Sequence, residues 1–321
     1  MPSPAHSNIC VVVPVYNRAR AVAYMLDSLE KQTIIPGEVI LVDNNSSDDS
    51  LQVLQKWADK MRTQGWDVKV AQEKRPGASA ARKKGEEMTT MPYLAFFDSD
   101  DTMHPDYLEA AMRDFEADPH LQFTVWNLTF NHPDGSTSRR RIMPAHPLEN
   151  HLVQGLLSTQ AFAVRTDFLR QIGGWNPAIG GWDDWELGLR LLLGGGKFKI
   201  TDESRSEFTV QAESISGLNY LHRKGDWENT LSEMDRILTQ KEHFLSLKII
   251  RHAQRLLAYR RAILAAHYHH EGDRNAARQL LRTAMTSPHL NLLHRFTLRA
   301  AYLFTRTGRR GAGLLFPPLL R

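Results

Sequence analysis

Three short apolar runs in the first hundred residues each end in a polar group, and no other feature of the chain restricts its fold so strongly. The runs are Ile9-Cys-Val-Val-Val-Pro-Val15, Val39-Ile-Leu-Val42 and Tyr93-Leu-Ala-Phe-Phe97. They are continuous rather than alternating, and rich in β-branched or aromatic residues. That pattern marks strands buried on both faces, as in a parallel sheet. A weaker run spans Val68 to Ala71. Between the runs, apolar residues recur at helical spacing. Val22, Met25, Leu26 and Leu29 share one face, and Leu51, Leu54, Ala58 and Met61 share another. Asp43-Asn-Asn-Ser-Ser-Asp-Asp49 supplies cap residues for the second helix, and a further helix begins near Ala78. Strand and helix therefore alternate, which predicts an α/β layer with right-handed crossovers.

The pattern changes at Leu121. Gln122 to Phe130 reads as a strand and Asn131-His-Pro-Asp-Gly135 as its turn. A helix opens at Trp182-Asp-Asp-Trp185, with Trp185, Leu189, Leu192 and Leu193 inward, and ends at Gly194-Gly-Gly196. From Trp227 to Phe304 the chain reads as helical. Within that stretch, Tyr259 to Tyr268, Gly272-Asp273 and Ala276 to Met285 form a helix–turn–helix hairpin. Gly308 to Arg321, with three glycines and two prolines, reads as a loose tail.

Charge divides the chain. From Arg236 onward there are sixteen Lys/Arg and three acids, or +13, against −9 for the remainder. Such a split predicts two functional surfaces. The basic end holds no recognisable nucleic-acid module, and its charge is spread over helices rather than packed in one run. An anionic membrane surface is the expected partner, and nucleic acid is not. A solvated bundle with an Arg-rich outer face accounts for the charge equally well. The single cysteine, Cys10, allows no intrachain disulfide and suits a reducing compartment. The run Ile9 to Val15 is too short to span a bilayer, and no Lys or Arg precedes it. The expected location is cytoplasmic, with room for peripheral docking on the inner face of the membrane.

In open α/β sheets, ligands bind beyond the carboxyl ends of the strands. Here those ends carry Tyr16-Asn17-Arg18, Asp43 and Asp98. Either aspartate alone is a common turn starter. Both at equivalent places point to a site. In Asp98-Ser-Asp-Asp101, residues i and i+2 of an extended segment face one side. Asp98 and Asp100 would then present two carboxylates to one point, which is unfavourable without a cation between them. Mg²⁺ or Mn²⁺ suits such oxygen ligands and draws further oxygens from substrate phosphates. No Gly-x-x-x-x-Gly-Lys-Ser/Thr loop exists, and no Gly-x-Gly-x-x-Gly follows the first run. Arg75-Pro-Gly-Ala-Ser-Ala-Ala-Arg82 offers instead a glycine turn opening a helix, with Arg82 one turn inside. Finally, Asp183 and Asp184 stand between Trp182 and Trp185 at a helix start. Capping accounts for one acid there, and Asp183 is well placed for it. Two aromatics also create a partly desolvated place, where a raised pKa suits a general base.

Five segments together resemble the family 2 glycosyltransferases, inverting enzymes of the GT-A fold. They are Val12-Val-Pro-Val-Tyr-Asn-Arg18, Ile40-Leu-Val-Asp-Asn-Asn-Ser46, Pro76-Gly-Ala-Ser-Ala-Ala-Arg82, Phe97-Asp-Ser-Asp-Asp101, and Gly173-Gly-Trp175 with Trp182-Asp-Asp-Trp185. They follow the family's order and spacing across about residues 8 to 220. The resemblance implies a Rossmann-like, mostly parallel mixed sheet with helices on both faces. It implies a catalytic domain over 1–225, its nucleotide-sugar half ending near 120 and its acceptor half at 225. A basic helical region over 226–321 follows. It implies that Pro14, Tyr16 and Asp43 hold the nucleotide base, that Arg82 lies near the nucleotide or its phosphates, that Asp98 contacts the nucleotide's sugar, and that Asp100 holds Mg²⁺ or Mn²⁺. Asp184 matches the family's catalytic base. The implied activity moves a sugar from a nucleotide-diphosphate donor to a hydroxyl of a glycan or lipid-linked acceptor.

Two departures stand out. Asp183 occupies a place where Glu is usual. Gln211 stands where many members carry a His before Ser-x-Ser, and an amide oxygen is a weaker ligand than imidazole for a borderline metal. His222 is near in sequence, although a solvated role accounts for it equally. Two other functions compete. A catalytically silent relative that binds a glycan or partner fits poorly with intact Asp98, Asp100 and Asp184. A sugar-phosphate nucleotidyltransferase would want glycines directly after the first strand, and Tyr16-Asn17-Arg18 has none.

Overall fold

The computed structural model describes residues 6–140, 142–209, 220–241, 246–308 and 317–320. In chain order the first elements are β1 (Ile9–Val15), α1 (Val22–Glu30), β2 (Glu38–Asp43), α2 (Ser50–Thr63), β3 (Val68–Gln72), α3 (Ala78–Met88) and β4 (Tyr93–Phe96). Then come β5 (Thr102–Met103), α4 (Tyr107–Ala117), β6 (Leu121–Asn131), β7 (Thr137–Arg139), α5 (Pro147–Gln154), β8 (Phe162–Arg165), α6 (Thr166–Gln171), α7 (Asp183–Leu193) and β9 (Lys197–Thr209). Helices α8 (Lys224–Gln240), α9 (Leu247–His270), α10 (Arg274–Met285) and α11 (Leu292–Thr305) follow. These residues form two compact units. One takes the chain up to 144 with 156–211, and the other takes 145–155 with 212 onward. Helix α5 therefore packs with the helical unit.

The first unit is one mixed sheet of order β3-β2-β1-β4-β8-β6-β9-β5, with β7 paired to β6. Strands β1 to β4 are mutually parallel where they pair, so their carboxyl ends meet at one edge. Beyond β4 the sheet mixes, with β8 antiparallel to both β4 and β6, and β9 parallel to β6. Alternate residues of the buried runs enter two cores. Val11, Val13, Val39 and Leu41 pack with Met25, Leu54 and Phe115. Val12, Ile40 and Val42 pack with Ala81, Trp175 and Leu187 on the opposite face. Each fully buried valine or leucine contributes roughly 1.5–3 kcal/mol. This explains why the runs read as continuous rather than alternating. Leu192, expected inward, is only partly buried. Leu187 and Leu191 take the inner positions beside Trp185 and Leu189.

Proline in a central strand normally removes a ladder bond. Phe97 N–H donates to the Val12 carbonyl, so residue 12 faces β4, and Pro14, two residues on, faces the same side. The β1–β4 pairing ends at Val12 opposite Phe96. Pro14 thus lacks its N–H where no partner strand remains.

In the helical unit, α9 is the central helix, buried through Ile250, Ala253, Leu257, Ala258, Ala262 and Ala265. Its alanines let α8, α10, α11 and α5 approach closely. The expected hairpin is present, with Asp273 accepting from Ala276 N–H at 2.9 Å as the cap of α10. No helix among the described residues is long and apolar enough to cross a membrane.

Gly85 holds α3 against the sheet. A Cβ at this position would lie 2.3 Å from Val12 Cγ1, in the middle of β1. Alanine would gain roughly 0.5–1 kcal/mol in helix propensity, but overpacking a rigid core costs about 1–3 kcal/mol. Gly85→Ala should therefore lower stability by about 1–2 kcal/mol in denaturant unfolding. Adding Val12→Ala should recover part of that loss. A Gly85→Ala variant more stable than the parent would contradict this packing.

Candidate active site

Strands β2, β1 and β4 lie side by side, so the polar residues after each meet at one edge. Val15 pairs with Asp43, and Asn44 N–H donates to the Val15 carbonyl at 2.7 Å. Asn17 is left-handed (φ 50°), which turns the chain sharply after β1. Its Oδ1 accepts from Ser47 N–H at 2.8 Å, and Arg18 N–H donates to Ser50 Oγ at 2.8 Å. The loops after β1 and β2 therefore brace one another. Asn44 ties in the third loop: its amide donates to the carbonyls of Glu73 and Arg75 at 2.9 and 2.7 Å and accepts from Gly77 N–H at 2.8 Å. Pro14 is buried in β1 and Tyr16 is 59% exposed at the edge. Asp43 is 1% exposed. Its Oδ2 accepts from Ser46 N–H at 3.3 Å, while Oδ1 is buried with no hydrogen-bond partner among the described residues.

The four acids of the next turn divide their roles. Asp98 pairs with Arg82 Nη2. Asp100 Oδ2 faces Arg18 Nε at 3.7 Å, which joins this turn to the loop after β1. Asp101 points inward, accepting from Thr209 N–H at 3.1 Å and from the Gln160 amide. Burial, then the charges of Asp98 and Asp100, push Asp101 well above the usual carboxylate range. Burial and Asp98 also raise Asp100, with Arg18 opposing.

Arg82 is the hub. It lies on α3, is 4% exposed, and holds Asp98 with one nitrogen and Asp183 Oδ2 at 2.5 Å with the other. Its guanidinium sits 4.6 Å above the Trp175 ring. Trp175 is placed by the two preceding glycines. Gly173 and Gly174 both have positive φ, and a Cβ on Gly174 would strike the Glu86 carboxylate at 2.1 Å. Glu86 uses that space to accept from Trp175 N–H at 3.0 Å.

Asp183 was expected as a helix cap, and the structure corrects this. The N-cap of α7 is Trp182, left-handed at φ 54°, with no side-chain cap bond. Asp183 turns into the pocket to meet Arg82 instead. Asp184 follows one residue later, partly exposed beside that pair. Burial raises it to about 6, with Asp183 and Asp98 adding to the shift and Arg82 and Arg140 opposing it. Arg140 is itself lowered to about 10 by burial, with Asp184 as its counter-charge. Glu186 and Arg190, paired at 2.6 Å, lock α7 to the glycine turn through Arg190 Nη1 and the Ile172 carbonyl.

Arg82, Asp98, Asp183 and Asp184 therefore share one cluster, Asp100 and Arg18 border it, and Pro14, Tyr16 and Asp43 lie on the neighbouring strand ends. Gln211 lies outside the described residues. His222 falls in the Tyr220–Arg223 turn of the helical unit. Reading the sequence alone missed Arg18 as a partner of Asp100, Asn44 as the loop brace, and Arg140. Arg18 carried a signal as part of the first polar strand end, and Asn44 as part of the run after the second. No group of three or more His, Cys, Asp or Glu arranged for a metal occurs among the described residues. A cation nevertheless fits Asp100, whose carboxylate is partly buried against the like charge of Asp98. Oxygens of a bound diphosphate would complete its shell.

Comparison with known proteins bears on the fold and the family. The sequence profile of glycosyl transferase family 2 matches residues 10–169. The putative glycosyltransferase EpsH of Bacillus subtilis is 35% identical over 113 residues, covering 35% of this chain and 31% of that protein. The amylovoran biosynthesis glycosyltransferase AmsB of Erwinia amylovora is 29% identical over 145 residues, covering 44% and 47%. The matched segment thus spans between about a third and a half of these relatives. Among solved structures, S. aureus TarS 1-349 with UDP-GlcNAc superposes with a TM-score of 0.63 at 17% identity, covering 97% of this chain and 90% of that one. The mannosyltransferase PcManGT of Pyrobaculum calidifontis, in complex with GDP-Man and Mn²⁺, gives 0.55 at 18% identity, covering 95% and 88%. The sheet order, the helical region after it and the profile match converge: this chain is a GT-A-fold member of the family 2 glycosyltransferases.

Proposed function

We propose that this protein transfers a sugar from a nucleotide-diphosphate sugar to a hydroxyl of a glycan or lipid-linked acceptor, with inversion at the anomeric carbon. The observation that carries this reading is Asp184, a carboxylate raised to about 6 at the border of the Arg82 cluster. A group with that pKa is ionised at neutral pH yet basic enough to take a proton. In the reaction, the acceptor oxygen attacks the anomeric carbon opposite the diphosphate. Its proton passes to Asp184, and the bond to the diphosphate breaks with the electron pair leaving on the phosphate oxygen. Asp43 supports nucleotide binding, because its unpartnered buried oxygen is suited to accept an N–H from the base. Tyr16, exposed beside it, offers a ring for stacking, and Pro14 shapes the strand end beneath. Asp98 and Arg82 line the route to the phosphates, and Asp100 would hold Mg²⁺ or Mn²⁺. The cation would offset charge on the leaving diphosphate. UDP-GlcNAc in TarS and GDP-Man in PcManGT are donors of the proposed class. The name of AmsB is in keeping with a glycan product. The basic helical unit docks in this reading on an anionic membrane surface, where a lipid-linked acceptor would reside.

Asp184→Asn should lower turnover by roughly 10² to 10⁴-fold at saturating donor. It should also raise stability at neutral pH. The folded protein holds the Asp184 proton more tightly than the unfolded chain, so ionising that carboxyl costs stability as pH rises toward 6. For the parent, turnover should fall as pH drops through about 6. Asp183→Asn removes the largest like charge on Asp184, so its acid limb should move to lower pH. An active Asp184→Asn beside an inactive Asp183→Asn would place the base one residue earlier.

Asp100→Ala should abolish the thermal stabilisation that Mn²⁺ adds in the presence of UDP or GDP. A ligand at a hundred times its dissociation constant adds about 2.7 kcal/mol, an easily measured shift. Unchanged nucleotide binding and turnover in both EDTA and the variant would remove the metal from the account.

A further inference from the structure

The helical unit carries a cavity of about 410 Å³ lined by Lys248, Arg251, Arg255, His289, Asn291 and His294. Five of these six are basic or imidazole side chains and none is acidic. Helices α9 and α11 both begin here, so the positive ends of two helix dipoles add to the side-chain charge.

Hydrogen bonding inside the cavity leaves cationic donors in excess of acceptors. Asn291 N–H donates to His294 Nδ1 at 3.3 Å in the capping box of α11. With Nδ1 accepting, the neutral imidazole carries its proton on Nε2. That nitrogen stands 3.3 Å from Arg255 Nη1, which can only donate. Arg255 Nε is buried with no hydrogen-bond partner among the described residues. An oxyanion is the group that would offset the charge of Arg255 together with that of Lys248 and Arg251.

Apolar residues flank the lining in sequence. Nine large hydrophobic residues are exposed among the described residues, and five of them lie within two residues of a cavity-lining position in sequence. They are Leu247 and Ile249 on α9, and Leu292, Leu293 and Phe296 on α11, with Leu292 87% and Phe296 70% exposed. Leu292 and Phe296 are four residues apart and share a helix face. A soluble anion would leave these apolar side chains in water. A bilayer surface offers phosphate for the cavity and acyl chain for the exposed first turns.

We propose that the cavity receives a lipid-borne phosphate and that the first turns of α9 and α11 seat the protein on an anionic bilayer. This rests on the membrane-docking reading above and gives it a defined site. The test is flotation of the full chain with phosphatidylglycerol/phosphatidylcholine vesicles, with circular dichroism confirming that each variant is folded. Lys248→Ala/Arg251→Ala and Leu292→Asp/Phe296→Asp each change exposed residues, and each should lower the vesicle-bound fraction about tenfold. Arg274→Ala/Arg278→Ala removes equal charge from the exposed face of α10 and should stay within about twofold of the parent. Soluble glycerol phosphate should not release the protein. Equal losses from the two charge-removing pairs would overturn the cavity while leaving membrane docking by bulk charge intact. An unaffected Leu292→Asp/Phe296→Asp variant, or thermal stabilisation by inorganic phosphate without vesicle binding, would overturn the lipid source. Absence of flotation by the parent would overturn both readings.

Discussion

A single buried guanidinium, that of Arg82, holds together three segments far apart in sequence. Its nitrogens engage Asp98 after β4 and Asp183 at the start of α7, and its flat face lies on Trp175. A buried cation is costly unless fully paired, and breaking such a pair leaves an uncompensated charge worth roughly 3–5 kcal/mol. The acidic turn, the glycine turn and the start of α7 are therefore fixed relative to α3. Gly85 brings α3 against β1, and Gly174 makes room for Glu86 beneath the Trp175 backbone. A Cβ at either position would force its neighbour to shift.

The arrangement leaves negative charge in excess. Asp98, Asp100, Asp183 and Asp184 stand against Arg18, Arg82 and Arg140, and two of the acids are consumed by Arg82. Asp184 and Asp100 are not paired with Arg82, and each is raised by burial and by a neighbouring carboxylate. The same electrostatic surplus thus produces two different dispositions. In the proposed reaction the first would accept a proton and the second would hold a cation. This is the division of labour that the proposed reaction needs, since the acceptor must lose a proton while a diphosphate departs.

Much of this was legible from residue order. Buried parallel strands leave continuous apolar runs, so their ends, and with them Asp43 and Asp98, could be placed on one edge. Helical periodicity located α1, α2, α7 and the α9–α10 hairpin. The partners were not legible. Arg82 and Asp183 are 101 residues apart, and nothing in local spacing distinguishes an acid that caps a helix from one that reaches across a pocket. The left-handed Trp182 takes the cap position and turns Asp183 inward, a conformation that residue identity does not announce. Asn44, a routine turn residue in sequence, braces the loops before α2 and α3 because of where tertiary structure brings Glu73 and Gly77. The basic cavity was visible only as net charge, since its lining depends on how α9 meets α11.

The central claim is that Asp184 is a carboxylate held near neutrality by its surroundings, and its own titration is the direct test. With aspartate carboxyl carbons labelled and EDTA present, nuclear magnetic resonance should find a carboxyl titrating near 6 that disappears in Asp184→Asn. Its midpoint should fall in Asp183→Asn, because the adjacent charge is gone. If the signal lost in Asp184→Asn instead titrates in the ordinary aspartate range near 4, the pocket does not make that residue a base.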